Sequence, residues 1–442
     1  MSFAIHQHWE EAFGSFRDWY RVRDHFALIN GYPFKSENFN ADGVGKPLVR
    51  IRDLLSDNLP TFFDGDEGED VVVNDGDIVI GMDGDFNSVT WTKGEALLNQ
   101  RVCALRAKSH SGVESRMLGY QIPISLKIIN DLTPWSTVKH LSSLDVLSLR
   151  FPKFNLSTQR EIADFLDRET ARIDLLIEKK QKLVALLGEE RGATITSMVT
   201  GSEESAHRTH WHSQWFPELP SDWALARVKH VTSKISDGPH ISPEYVDEGI
   251  PFISARNIKV QRWSLDDAKH ISPELFKELT KKSKPQVGDV LYTKGGTTGV
   301  ARAVDLDFDF HIWVHVALLK LRKRICIPQF LAYALNSAPC YEQSQLATRG
   351  ATNNDLGLSR IANIQIPLPP LDRQKEIIGK IDRYLSRIDS LTGTIDASID
   401  RLKENRSALI TAAVTGQIDV NTYAKSGATD RRLDAIQEEM GA

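Results

Sequence analysis

The chain has 442 residues, 41% hydrophobic and 26% charged: enough length for two or three domains with real cores, and too much apolar content for wholesale disorder. Lys plus Arg number 54 and Asp plus Glu 59, so the net charge of −5 excludes a chain that holds nucleic acid by overall basicity. No run of ~18 apolar residues exists, the first thirty residues lack an apolar signal core, and Cys103, Cys326 and Cys340 form no CxxC pair. These features predict a protein of the reducing cytoplasm without membrane span or structural zinc.

In chain order, residues 1–153 predict a mixed α/β domain with short strands at 47–54, 76–81 and 101–107, each bounded by Gly, Pro or Asp. Its acidic stretch 62–86 does not follow the ligand spacing of a calcium loop and predicts a solvated hairpin. Residues 154–201 predict one long helix. Thr158 and Glu161 have the spacing of a capping box, and Gly201 ends the run. Residues 202–220 form a polar linker that becomes rich in Trp and Pro and suits a docking segment. Residues 221–369 predict a second mixed α/β domain, with strands at 251–258, 288–294 and 315–322 and a helix at 330–337. Residues 370–416 predict a second long helix, which LPPL (368–371) keeps from starting earlier and Gly416 ends. The polar tail, 417–442, contains a short helical pattern at 431–440.

The chain repeats itself. Residues 159–201 align without a gap to 374–416, with 18 identities in 43 positions, where unrelated segments would share about two or three. Arg172-Ile173-Asp174 matches Arg387-Ile388-Asp389, and Val199-Thr200-Gly201 matches Val414-Thr415-Gly416. The preceding regions repeat more weakly: Asp18-Trp19 matches Asp222-Trp223, Arg52 matches Arg256, and Gly76-Asp77 matches Gly288-Asp289.

Apolar spacing in both helices follows a coiled-coil seam. In the second it runs through Ile377, Ile381, Tyr384, Ile388, Leu391, Ile395 and Leu402. In the first it runs through Ile162, Leu166, Ile173, Leu176, Leu183 and Leu187, interrupted by Glu169 and Lys180. Each helix would span roughly 66 Å. Two like rods in a duplicated chain predict an antiparallel, pseudo-twofold pair. The expected fold is therefore α+β or mixed: two globular α/β domains separated by two long antiparallel coiled-coil helices.

Catalytic patterns are scarce. There is no phosphate loop with its Gly-Lys-Ser/Thr ending, no HExxH, and no Asn/Asp-Pro-Pro-aromatic motif for holding a target amine. The glycine-rich TKGGTTG (293–299) lacks the spacing of a nucleotide cradle and reads as a loop. His207, His210 and His212 lie close together without a completing ligand and read as solvated linker residues. The basic run 277–284 fits a nucleic-acid contact and a solvated helix end equally well.

Loop positions chosen by side-chain chemistry and placement give the candidate DNA contacts. In the first domain they are Arg52, Asp85, Phe86, Asn87, Asn99, Gln100 and Arg101. In the second they are Arg256, Asn257, Lys294, Thr297, Thr298, Arg349, Thr352 and Asn353.

Two divergent domains alternate with two similar helices, which are introduced by QREI or QKEI, carry Arg-Ile-Asp and close in ITSMVTG or ITAAVTG. This pattern resembles the specificity subunit of type I restriction–modification systems over nearly the whole chain. The resemblance implies that each variable domain is a target-recognition domain reading one half of a bipartite site in double-stranded DNA. It implies that the helices set the gap and dock two methyltransferase subunits, through which restriction subunits join. S-adenosylmethionine, ATP and magnesium would then be used by those partners, with no catalytic, metal or cofactor site in this chain. The competing readings are a coiled-coil scaffold that binds no nucleic acid and a stand-alone DNA-modifying enzyme, against which the missing motifs speak.

Overall fold

A computed structural model describes residues 13, 18–56, 58–66, 70–132, 139–202, 207–349 and 355–438. The chain divides into two units, 1–181 with 395–442, and 182–394. The long helices, Leu156–Thr200 and Leu371–Val414, each contribute one part to each unit.

In the first unit, an antiparallel four-stranded sheet has the order Phe26–Asn30, Val102–Ala107, Ile78–Gly81, Ser88–Thr90. In the second unit the order is the same: Thr232–Asp237, Val316–Leu321, Val290–Thr293, Ala301–Ala303. Each sheet buries a carboxylate at the start of its third strand. Asp77 accepts three bonds from Arg106, at 3.0, 3.2 and 2.6 Å, and Asp289 accepts one from Lys320 at 2.6 Å. Burial of the acid is tolerated because the cation on the neighbouring strand meets it. The Gly-Asp repeat read from sequence is thus a repeated buried ion pair.

A second sheet lies beside each of these, with Lys46–Val49 at its centre in one unit and Ile250–Ile253 in the other. The strands expected at 47–54 and 251–258 are shorter than that. They stop at Val49 and Ile253, and 3-10 turns follow at Ile51–Asp53 and Ala255–Asn257. The turns close because Asp53 and Asn257 donate their backbone N–H to the carbonyls three residues earlier.

Each domain shares its core with the helices. In the first unit Ile78, Ile80, Met117 and Leu118 pack with Ile162, Leu166 and Ile173 of one helix and with Leu402, Leu409 and Val414 of the other. In the second, Val290, Tyr292, Phe330 and Leu331 pack with Ile195, Val199, Ile377 and Ile381. Asp174 meets Arg406 at 2.8 Å, and Asp389 meets Arg191 at 2.5 Å. Residue numbers fall along one helix as they rise along the other, so the two run antiparallel. Both ion pairs come from identities in the repeat, which accounts for the Asp of the duplicated Arg-Ile-Asp. Arg191 is only 11% exposed, whereas Arg406 is 36% exposed. Asp389→Asn is therefore expected to cost about 1–2 kcal/mol and Asp174→Asn less than about 0.5 kcal/mol, by thermal unfolding.

The seam itself differs from the sequence reading in two places. After Ile173 the inward positions take a second consecutive step of four, to Ile177, and run on through Lys180, Val184 and Leu187, which leaves Leu183 one position off and 42% exposed. Leu391 is likewise 39% exposed, and Thr392 takes the inward step. Glu169 and Lys180 do lie in the seam, each only 7% exposed. The first helix also starts earlier than the Thr158 box implied: it begins at Leu156, and Asn155 accepts the N–H of Thr158 at 2.9 Å. Gly201 and Gly416 adopt φ of +64° and +68°, the left-handed conformation that closes a helix.

Buried Gln159 and Gln374, equivalent in the repeat, tie each helix start to its domain. Gln159 donates to Phe154 O and accepts Glu114 N–H; Gln374 donates to Pro369 O and Ile325 O and accepts Ile327 N–H. The linker forms strands Arg208–His210 and Glu218–Pro220, and Phe216 and Leu219 enter the second core. The polar tail folds as helices Val420–Lys425 and Ala428–Glu438. Val420 and Leu433 are buried in the first core, and Asp430 pairs with Arg172.

Candidate nucleic-acid interface

The candidate residues of the first domain converge at one end of its main sheet. The turn after Leu98 is fixed by Asn99 N–H donating to Val49 O at 3.0 Å and Val102 N–H donating to Asn99 O at 2.9 Å. The 82–87 loop joins it, with Met82 N–H donating to Arg101 O at 3.0 Å. Arg52, Asp85, Asn87, Gln100 and Arg101 are exposed there, and Asn99 is half-buried. Asp83 orients Arg101: its Oδ2 lies 3.4 Å from the guanidinium Nε, while its Oδ1 lies 2.6 Å from His140 Nδ1. Asp83 and His140 were not among the residues expected from sequence.

Phe86 is a correction. Its φ of +52° turns the ring inward, where it is 2% exposed in the core. The strained backbone places the neighbouring Asp85 and Asn87 outward.

The second domain repeats the construction with different side chains. Trp313 N–H donates to Ile253 O at 2.8 Å, Val316 N–H to Trp313 O at 3.0 Å, and Lys294 N–H to His315 O at 2.8 Å. Arg256 and Thr297 are exposed, as is Arg349, whose backbone pairs with Asp355.

Three expected contacts are instead internal. Asn257, 1% exposed, accepts from Ser254 and donates to Ser264 O at 2.8 Å, closing the 3-10 turn. Thr298, 3% exposed, is bonded to the Thr348 hydroxyl and accepts from Gln345. Lys294 lies 3.2 Å from Asp355 and 3.5 Å from Asp237, and its charge is spent beneath the loop. Thr352 and Asn353 lie outside the described residues.

Sequence reading missed Trp313 and His315, half-buried residues whose rings meet edge-on at 4.8 Å. The sequence repeat alone does not find them: carried forward from the Gly-Asp match it places HIW (311–313) on NQR (99–101), and only the backbone bonds, which absorb two extra residues in the second domain, align 313–315 with 99–101.

Burial pushes all three thiols up to about 12, which leaves them unreactive. Among the described residues no group of three His, Cys, Asp or Glu could hold a metal ion, and no helix is long and apolar enough to cross a membrane. His207, His210 and His212 are exposed, and His210 lies 3.2 Å from Glu218.

Two like scaffolds that end in turns of unlike side chains, each founded on paired helices, define a two-headed recognition protein. The family model of the type I restriction modification DNA specificity domain matches residues 18–185 and 220–401, and the chain belongs to that family, with two copies of its domain.

Among its relatives is the type I restriction enzyme EcoBI specificity subunit of Escherichia coli, 28% identical over 407 residues, covering 90% of this chain and 85% of that protein. The MjaVIII specificity subunit of Methanocaldococcus jannaschii is 20% identical over 398 residues, covering 88% of this chain and 86% of that protein. A solved chain of a type I restriction–modification system superposes with a TM-score of 0.62 at 18% identity, covering 91% of this chain and 98% of that one, and shares the fold.

Proposed function

We propose that this chain is the DNA-reading subunit of a type I restriction–modification complex, each domain contacting one half of a bipartite site in duplex DNA. The observation that carries the reading is the pair of equivalent turns, 99–101 and 313–315, built on the same backbone bonds and bearing different side chains. A protein that binds one ligand twice would keep those side chains alike; one that reads two unlike half-sites would not. The net charge of −5 fits a subunit whose DNA is partly enclosed by partners.

Methyltransferase subunits docked on the helices would bring S-adenosylmethionine and, with restriction subunits, ATP and magnesium. The chain itself supplies recognition, in the cytoplasm where the DNA lies. Co-expression with the methyltransferase, followed by duplex-binding titrations, tests this. A complex whose affinity falls steeply with salt and depends on sequence is expected. A complex indifferent to duplex DNA would refute it.

The helices would also set the gap between half-sites. Inserting about seven residues, two turns, into both helices adds roughly 10 Å. The gap is expected to widen by about three base pairs with both half-sites unaltered, read from the methylated positions. An unchanged gap would remove the helices from that role.

A further inference from the structure

The duplication supplies a comparison within one molecule, and it separates two kinds of residue at the reading ends. Backbone bonds fix the equivalences. Arg52 and Arg256 occupy the middle of matching 3-10 turns, and Arg101 corresponds to His315 because each carbonyl accepts the N–H of the loop that follows the third strand, from Met82 or Lys294. Asn99 corresponds to Trp313 by its bond to the neighbouring strand.

At the first position the side chain is the same in both domains and remains well exposed, 67% for Arg52 and 55% for Arg256. At the turn positions the side chains are unlike: Asn-Gln-Arg in one domain, Trp-Val-His in the other.

Two unlike half-sites on one duplex share only the sugar–phosphate backbone; their base edges differ. We propose that Arg52 and Arg256 are phosphate-binding residues common to both heads, and that Arg101 in one turn and His315 with Trp313 in the other read bases. This division rests on the function proposed above.

Folding does not account for Arg52. Asp53, 3.7 Å from Arg52, is buried and held by Arg50 at 3.3 Å, so its charge is already met and Arg52 is not needed to compensate it. Arg256 Nε lies 3.5 Å from the Asp267 carboxylate, an exposed pair of little worth to stability, while its Nη2 donates to Asp267 O at 3.0 Å. Both side chains stay more than half exposed, within reach of a phosphate oxygen, although one outer nitrogen of Arg256 is already used on Asp267 O.

Arg101 is differently placed. Asp83 holds its Nε side while the terminal fork stays open, a pose suited to the two acceptors on a guanine edge. His315 is restrained by the Trp313 ring and by the glycine beneath it: a Cβ at Gly295 would fall 1.9 Å from His315 Nδ1. A ring held on two sides has few orientations left, as a specific contact requires.

The test uses the complex with its methyltransferase, bound duplexes selected from a random pool, and affinities measured over a range of salt. Arg52→Ala and Arg256→Ala are each expected to weaken binding to every sequence and to reduce the salt slope by about 0.9, leaving the preferred bases unchanged. Arg52→Lys should retain the slope.

Arg101→Ala is expected to lose discrimination by roughly five- to 150-fold at one position of the first half-site, with the second half-site and the salt slope intact. His315→Ala should do the converse. Thermal midpoints equal to that of the unsubstituted complex separate these effects from misfolding. The assignment is overturned if Arg52→Ala alters a preferred base, or if Arg101→Ala weakens all sequences equally. An unsubstituted complex with no salt-dependent duplex binding would instead overturn the function on which the assignment rests.

Discussion

Gly31→Ala is expected to abolish recognition of the first half-site and to destabilise the chain by more than about 3 kcal/mol. A Cβ there would lie 1.8 Å from Asn99 O and 2.6 Å from Val102 O, both backbone atoms of the reading turn. Gly31 N–H donates to Val102 O at 2.9 Å and Tyr32 N–H to Leu98 O at 2.9 Å, so the turn cannot retreat without losing those bonds. Gly238 has the same place in the second domain, its added Cβ falling 2.2 Å from Ile312 O and 2.4 Å from the Trp313 carbonyl carbon. Gly238→Ala should therefore damage the second half-site and spare the first. Thermal unfolding and duplex selection with the two variants measure both effects; a Gly31→Ala chain within about 0.5 kcal/mol of the parent would show that the turn yields.

Gln374→Ala carries the second large expectation, a loss of about 3–5 kcal/mol in denaturant unfolding. The side chain is completely buried and makes three bonds, accepting Ile327 N–H at 2.8 Å and donating to Ile325 O and Pro369 O at 2.9 Å each. Truncation leaves three backbone groups unsatisfied, at roughly 1–3 kcal/mol apiece before relaxation. Gln159 makes two such bonds, both 2.8 Å, so Gln159→Ala should cost less. Equal losses would mean that the third bond contributes nothing. Because Gln374 anchors the second helix to its domain, the variant is also expected to blur the spacing at which that domain reads.

The long helices were legible in sequence because their apolar period, terminal glycines and repetition are local features. Their internal frame was legible only in part. Counting heptads through Leu183 and Leu391 kept a strict 4-3 alternation, whereas each helix takes two steps of four in succession and so turns Val184 and Thr392 inward. The ion pairs of Asp174 and Asp389 were visible as repeated letters, but their partners depended on the antiparallel register.

At the reading ends, placement in a loop was a poor guide to exposure. Phe86 turns inward on a positive φ, while Asn257, Thr298 and Lys294 use their polar atoms to hold the loops together. Polar residues in loops serve the loop's own backbone as readily as a ligand, and composition does not distinguish the two. Trp313 and His315 were overlooked for another reason. A two-residue length difference after the Gly-Asp match hides them in the sequence, and only the backbone bonds show that they stand where Asn99 and Arg101 stand.

Selection of bound duplexes from a random pool by the complex of this chain with its methyltransferase tests most directly that one molecule carries two independent reading heads. Two short, unlike half-sites separated by an unread gap of constant length are expected. A single uninterrupted site, or half-sites joined at variable distance, would contradict it.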